Sequence, residues 1–211
     1  MLGRLLLLLI LSSCALFKGA EKIKTSDTQK LLASVKTTGE GKGRLHIRQR
    51  QYLFGVESVL KDDGDWIMAV SIPLQGEEAL IFPSLQETSV ADPALESFAA
   101  RIDAGIRENF KGSVLSGKEF LDALRSTLRF LLSERLKLPV SCTQLSCTMQ
   151  GEEFTIERDE KSLRIITAFS EHQLITTASN LTGSFFLHTQ FRVVSPSQKE
   201  DLLSLELFWS E

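Results

Sequence analysis

The chain has 211 residues, of which 43% are apolar, and it carries 24 basic and 27 acidic side chains for a net charge of −3. This length fits one domain with a sizeable core. The slightly acidic balance, with no cluster of Lys and Arg, argues against nucleic-acid binding, which needs grouped positive charges to neutralise phosphates.

The first residues have the pattern of an export signal. A single positive charge, on Arg4, precedes an unbroken apolar run from Leu5 to Leu11. A run of this length is typical of the core of a secretory signal, which has roughly 7–15 apolar residues, and it is too short to span a bilayer as a helix. Residues 1–13 are therefore predicted to be a signal peptide.

The apolar run ends in Leu11-Ser12-Ser13-Cys14, which resembles the lipobox of bacterial lipoproteins. The resemblance implies that Cys14 receives a diacylglyceryl group and becomes the first residue of the mature chain. Residues 14–38, which are largely polar, then form a lipidated N-terminus and tether ahead of a domain over residues 39–211. Two alternatives stay open: cleavage by the ordinary signal peptidase near the same cysteine, or an apolar run that remains uncleaved as an anchor.

The residue after this cysteine bears on where the anchored chain resides. In the enterobacterial sorting pattern, an aspartate at this position retains a lipoprotein in the inner membrane, whereas this chain has Ala15. The pattern therefore favours the outer membrane, with the domain lipid-anchored and facing the periplasm.

The cysteine count agrees with export. If Cys14 carries lipid, Cys142 and Cys147 remain as an even pair in an oxidising compartment. A disulfide between them closes a short loop, and the spacing differs from that of a Cys-x-x-Cys redox pair, so a structural role is favoured. The alternative is two separate buried thiols.

Alternating apolar residues predict strands from Arg44 onward. The glycine-rich stretch Gly39 to Gly43 is interpreted as a flexible lead into the first strand, and Asp62-Asp63-Gly64-Asp65 as a hairpin turn. Two runs place their apolar residues on one face: Tyr52, Phe54, Val56, Ser58 and Leu60 in the first, and Trp66, Met68, Val70 and Ile72 in the second. A further short strand is predicted from Ala79 to Phe82.

The middle of the chain changes to a helical period. A helix is predicted after Asp92-Pro93, where the proline suits the first turn. A second helix opens at Ser116, with Glu119 three residues on, which is the pattern of a capping box, and it ends at Leu138-Pro139. Between the two ends, the apolar face of this second helix includes Phe120, Leu121, Leu124, Leu128, Leu131 and Leu132.

The last third returns to strands. Phe185, Leu187, Phe191 and Val193 are predicted to share a face, and so are Leu203, Leu205, Leu207 and Trp209. The order of strands, helices and strands predicts an α+β fold, with one antiparallel sheet and two or three helices segregated to one of its faces. A short helix near Leu32 and Val35 is also expected.

Side chains in patterns typical of catalysis or metal binding are not found. His46, His172 and His188 are scattered, with no partner at a metal-ligand spacing such as His-Glu-x-x-His, and His46 and His188 are predicted to face solvent. A Gly-x-Ser-x-Gly nucleophile elbow is also missing. We therefore expect no catalytic residues, no metal, no cofactor and no enzymatic activity.

Several features together resemble the LolB and LolA family of lipoprotein localisation factors, of which LolB is an outer-membrane lipoprotein receptor and LolA its periplasmic carrier relative. They are the strand from Trp66 that runs into Pro73-Leu74-Gln75-Gly76, where the family has Pro-Leu-Gly; the following helical pair; and the final strand that ends at Trp209. The one inserted residue in Pro-Leu-Gln-Gly is a departure from the family pattern, and the protruding apolar loop of LolB has no clear counterpart.

The resemblance implies a curved, incomplete antiparallel β-barrel, with helices as a lid over an apolar cavity that takes acyl chains. The candidate cavity residues are Phe54, Val56, Trp66, Met68, Val70, Ile72, Phe120, Leu124, Leu128, Leu205 and Leu207. The expected partners are the membrane, acyl chains or acylated lipoproteins, and a periplasmic carrier protein, with no nucleic acid. The alternative is a structural or adaptor lipoprotein with a filled core that binds a protein partner.

Overall fold

The computed structural model describes residues 25–47, 50–72, 76–87, 93–109, 115–143, 145–183, 185–195 and 201–211. The predicted signal peptide and Cys14 lie outside these residues. The helices are α1 (Thr25–Ser34), α2 (Pro93–Asn109), α3 (Gly117–Leu131) and α4 (Ser133–Leu136). The strands are β1 (Gly39–Ile47), β2 (Arg50–Leu60), β3 (Trp66–Ile72), β4 (Gly76–Phe82), β5 (Ser141–Cys142), β6 (Ser146–Met149), β7 (Glu152–Arg158), β8 (Ser162–Phe169), β9 (His172–Thr182), β10 (Phe185–Val194) and β11 (Asp201–Trp209).

All eleven strands belong to one antiparallel sheet, in the order β4-β3-β2-β1-β11-β10-β9-β8-β7-β6-β5. Neighbouring strands in this sheet are consecutive in the chain except for β1 and β11, the first and last of the described strands, which pair with each other. The prediction of an open antiparallel sheet accompanied by helices is confirmed. The balance differs from the expected one, because the described part of the chain is mostly sheet and has four helices rather than two or three.

The sheet is strongly curved, as the contacts of Arg129 on α3 require. Its guanidinium donates to the carbonyl oxygen of Leu85, just after β4, at 2.8 Å, and also to the side chain of Gln150, between β6 and β7. In the strand order, β4 and β7 are eight positions apart, which in a flat sheet would be about 38 Å. One side chain cannot bridge that distance, so the sheet curls until its two ends approach the same helix.

Alternation along the strands gives the sheet two different faces. We call inner the face on which Phe54, Leu205 and Phe191 lie, because these side chains are buried in the hydrophobic core. The opposite, outer face carries residues such as Arg44, Glu206 and Gln190. The predicted alternation in β2, β3 and β11 is thus confirmed, with the Trp66 and Leu207 side chains buried as expected.

The glycine-rich stretch before Arg44 is not a flexible lead, as was predicted, because it forms the first half of β1. A Cβ atom on Gly43 would lie 1.9 Å from the ring of Phe54, and one on Gly41 would lie 2.3 Å from the carbonyl oxygen of Phe208. Glycine is therefore needed here so that neighbouring groups can approach the strand closely.

The helix expected near Leu32 and Val35 is present as α1, and both side chains are buried. Directly after it, the carbonyl oxygen of Thr37 accepts hydrogen bonds from the Ser58 hydroxyl at 2.6 Å and from the Trp66 indole at 2.9 Å. The chain from α1 onward is therefore packed into the folded unit, and the tether stays a prediction for the residues that precede α1.

The start of α3 differs from the predicted capping box. Ser116 is the N-cap residue, but its side chain makes no capping hydrogen bond. Asp103 of α2 accepts a hydrogen bond from the Gly117 amide instead, and Glu119 accepts one from Ser170. Contacts with residues distant in the sequence thus replace the local capping pair. The helices α2 and α3 also pack closely here, since a Cβ on Gly117 would lie 2.3 Å from the Ala99 carbonyl oxygen.

One further sequence prediction needs correction. The helical region ends at Leu136, before Leu138-Pro139, because Lys137 adopts a left-handed conformation with φ 55°. In β10, the unbroken register places Phe185, Leu187, Phe191 and Val193 on one face, as predicted. At the start of this strand Phe185 is half exposed, whereas Phe186 is buried and forms an isolated bridge with Val35, directly after α1.

Candidate binding face between the sheet and helix α3

The candidate cavity residues from the sheet and from α3 come together in one hydrophobic core. Nine of them are buried: Phe54, Val56, Trp66, Met68, Phe120, Leu124, Leu128, Leu205 and Leu207. Val70 is half-buried and packs against the same core. Ile72 is the last residue of β3, and the burial of its side chain is not among the features that the structure describes. The sequence therefore selected residues that share one apolar surface between the inner face and α3.

Burial is uneven along this surface. Under α3, which lies against β8 and β9, inner-face residues such as Leu163, Ile165 and Leu174 are completely covered. On β1 to β3, by contrast, five apolar inner-face residues are only partly covered: Leu45, Ile47, Tyr52, Leu60 and Val70. We call these five residues the open margin. Tyr52 is the most accessible of them, with 44% of its surface exposed.

Two buried arginines on α3 were not predicted from the sequence. Arg125 donates to the carbonyl oxygens of Pro83 and Ser84 at 2.6 and 2.7 Å, and Arg129 donates to that of Leu85. Burial lowers the pKa of both guanidinium groups, and the charge of Arg129 lowers that of Arg125 further. Their spacing of four residues, beside Leu124 and Leu128 on the same helix, was the only signal in the sequence. These bonds fix α3 to the segment that follows β4.

A few polar side chains interrupt the apolar inner face. Thr167 on β8 lies 3.1 Å from Thr127 of α3, oxygen to oxygen, and the Trp209 indole donates to Thr189 at 3.4 Å. Between them, on β9, the hydroxyl of Thr176 is buried and has no hydrogen-bond partner among the described residues. These threonines were not predicted as inner-face residues from the sequence, because alternation alone does not distinguish a buried hydroxyl from a buried methyl.

The cysteine pair lies at the edge of the sheet. Cys142 on β5 is opposite Cys147 on β6, and their sulfur atoms are 1.99 Å apart, which is disulfide-bond distance. The bond closes the turn between these two strands. Cys147 is fully buried in the core, whereas Cys142 is only partly covered.

On the outer face, His188 lies in a network of side chains and is not simply exposed to solvent as predicted. Its Nδ1 is 2.9 Å from the Ser179 hydroxyl, and its ring stacks on Phe208 with centroids 4.5 Å apart. Arg44 lies over the same Phe208 ring, with its Cζ 5.6 Å from the ring centroid, and pairs with Glu206. Burial lowers the pKa of His188, a shift that the charge of Glu206 opposes.

Within the described ranges, no group of three or more side chains is arranged to hold a metal ion. Among the helices of this part of the chain, none is both long and apolar enough to cross a bilayer. In comparisons with known proteins, the chain matches no protein-family model, and no curated protein sequence is significantly similar to it.

Proposed function

We propose that this chain is a LolB-like bacterial lipoprotein, anchored by a lipid on Cys14 in the outer membrane, that binds acyl chains of lipids or of other lipoproteins. In this proposal the curled sheet is an incomplete β-barrel, and α2 and α3 act as its lid. The acyl chain lies between the inner face and α3. The LolB-like sequence features and the lipobox pattern support the proposal, together with an open sheet whose apolar inner face meets an amphipathic helix.

The open margin is the observation that carries the proposal. A curved sheet must fill its apolar face with side chains or with a ligand, and here the face under α3 is filled while the face on β1 to β3 is partly uncovered. Each methylene group transferred from water contributes about 0.8 kcal/mol. An acyl chain laid along Leu45, Tyr52 and Val70 would gain stability by this transfer and could be released again without covalent chemistry.

Neighbouring residues of β2 provide a matched test. Tyr52 belongs to the inner face, and Leu53, which is 59% exposed, belongs to the outer face. We expect Tyr52→Glu to weaken binding of a fluorescent fatty acid at least tenfold, because a carboxylate in the path of the chain must be desolvated. Leu53→Glu, which introduces the same charge at the adjacent outer-face position, should bind the fatty acid with the affinity of the unchanged protein in the same titration.

Equal affinities for the two variants and the unchanged protein would contradict the proposed site. Both variants should keep the unfolding temperature of the unchanged protein within a few degrees, since both positions are accessible to water. The anchor is tested separately: cells fed radiolabelled palmitate should label the chain, and Cys14→Ser should abolish the label. Label that persists in this variant would contradict lipidation at Cys14.

The second candidate is an adaptor lipoprotein with a filled core, which binds a protein partner by its outer surface. The observation in its favour is the nearly complete burial of Phe120, Leu124 and Leu128 against the sheet. Native mass spectrometry separates the two candidates. Co-purified phospholipid or acylated peptide, lost in Met68→Glu, supports acyl binding, whereas an unchanged mass after addition of lipid supports the adaptor.

A further inference from the structure

Four polar side chains of the inner face lie on one diagonal across the sheet. On β9, Thr176 lies opposite Ile165 of β8 and Phe191 of β10. The polar residues on these two strands, Thr167 and Thr189, each lie two residues away from the residue that pairs with Thr176. Going from β8 to β10, the shift has the same direction at each step. The row therefore crosses four adjacent strands as Thr167, Thr176, Thr189 and Trp209. Residues at such diagonal positions are about 7–8 Å apart and share a face.

Only the middle hydroxyl of this row is unpaired. Thr167 has Thr127 as its partner, and Thr189 accepts a hydrogen bond from Trp209. Thr176 is 0% exposed, and its Oγ1 has no hydrogen-bond partner within the part of the chain that the structure describes. A buried hydroxyl without a partner destabilises the fold relative to the nearly isosteric valine. An unpaired donor in an apolar face is expected where a bound molecule brings the acceptor.

The surroundings limit the chemistry of that molecule. The neighbours of Thr176 across the strands, Ile165 and Phe191, are buried and apolar, and α3 lies over β8 and β9. A single neutral hydroxyl in such surroundings matches one neutral acceptor, such as a carbonyl oxygen, on an otherwise apolar ligand. It cannot satisfy a phosphate or a free carboxylate, which each require several donors or a positive charge.

We propose that Thr176 donates a hydrogen bond to the carbonyl oxygen of an ester-linked or amide-linked acyl chain, and thereby selects acyl groups over plain hydrocarbon. This inference rests on the proposed function and adds to it the part of the ligand that is recognised. Because Thr176 is fully covered, the chain reaches it only when side chains of α3 give way. Ester-linked chains occur both in phospholipids and in acylated lipoproteins, so either source presents the required carbonyl.

The test compares two lysophosphatidylcholines that differ only at this carbonyl, one with an ester-linked hexadecanoyl chain and one with an ether-linked hexadecyl chain. The protein is the full chain with Cys14→Ser, so that its own lipid cannot compete. The chain that retains Thr176 should bind the ester about fivefold more tightly than the ether, which corresponds to the net free energy of one neutral hydrogen bond. Thr176→Val should bind both lipids with the affinity of the ether, and Thr189→Val should retain the preference for the ester.

The outcomes separate this inference from the proposed function. If neither lipid binds, the proposed function fails and the inference with it. If both bind equally to the chain with Thr176, or if the preference survives in Thr176→Val, the inference is overturned while acyl binding stands. Thermal unfolding should show Thr176→Val to be at least as stable as the parent. A synthetic diacylated lipopeptide, measured in the same way, then shows whether the lipoprotein or the phospholipid is the tighter ligand.

Discussion

The inner and outer faces of the sheet are built from alternate residues of the same strands, yet they satisfy their polar groups differently. On the outer face, charged side chains pair across strands, as Arg164 does with Glu157 at 2.7 Å, and stay in contact with water. Over the inner face, the buried charges of Arg125 and Arg129 bond chiefly to backbone carbonyl oxygens. Water can replace a lost partner on the outer face but cannot do so on the inner one.

The largest expected effect of this difference is at Arg129. Replacing it by methionine keeps much of the side-chain volume but leaves the Leu85 carbonyl and Gln150 without their donor. We expect Arg129→Met to lower the free energy of unfolding by about 3 kcal/mol, measured in urea. The outer-face control, Arg164→Met, should change it by less than about 1 kcal/mol. Equal losses in the two variants would remove the distinction between the faces.

A smaller effect is expected from adding a methyl group to a glycine on either face. In Gly43→Ala the new Cβ would overlap the Phe54 ring, whereas in Gly55→Ala its nearest neighbour is the Ser71 Cβ at 3.6 Å. We expect the first to lower the free energy of unfolding by about 2 kcal/mol and the second to leave it nearly unchanged. The double variant Gly43→Ala with Phe54→Leu should recover part of the loss, and a failure to recover any would mean that the ring is not the obstacle.

The smallest expected effect concerns pH and the outer face. The folded state lowers the pKa of His188 below its ordinary value of 6.5, so the unfolded chain binds more protons in the interval between the two values. The contribution of His188 to the free energy of unfolding should therefore be complete above pH 6.5 and should decline as the pH falls below that value. His188→Asn should flatten this part of the pH profile of the unfolding temperature. An unchanged slope in the variant would assign the dependence to other groups.

The parts of the fold that were predictable depend on local patterns. The period of two placed β2, β3 and β11, and Gly64, with φ 88°, forms the turn that Asp-Asp-Gly-Asp predicted. What was missed depends on contacts between distant residues. The first half of β1 is glycine-rich because Phe54 and Phe208 approach it, and no propensity reveals that. Asp103 likewise replaces Ser116 as the partner of the α3 amide, through the packing of α2 against α3.

The candidate site shows the same division. Apolar periodicity was sufficient to select residues such as Met68 and Leu124, which do share one core. It could not show that Tyr52 stays accessible or that Arg125 is buried, because both depend on how far α3 extends over the curled sheet. It also could not distinguish Thr176 from Thr189, which differ only in whether a side chain of another strand reaches the hydroxyl.

The disulfide at the end of the sheet has a consequence for association between copies of the chain. An outermost strand presents unpaired amide and carbonyl groups, on which the strand of another molecule can add. Here the outermost strand, β5, has two residues, and the Cys142–Cys147 bond holds it against β6. So short an edge strand offers few hydrogen-bonding positions to an incoming strand. The disulfide also keeps β5 from separating from β6, which would expose the longer strand β6 as the edge. The crosslink therefore protects this one of the two sheet edges from edge-to-edge aggregation, in addition to closing a turn.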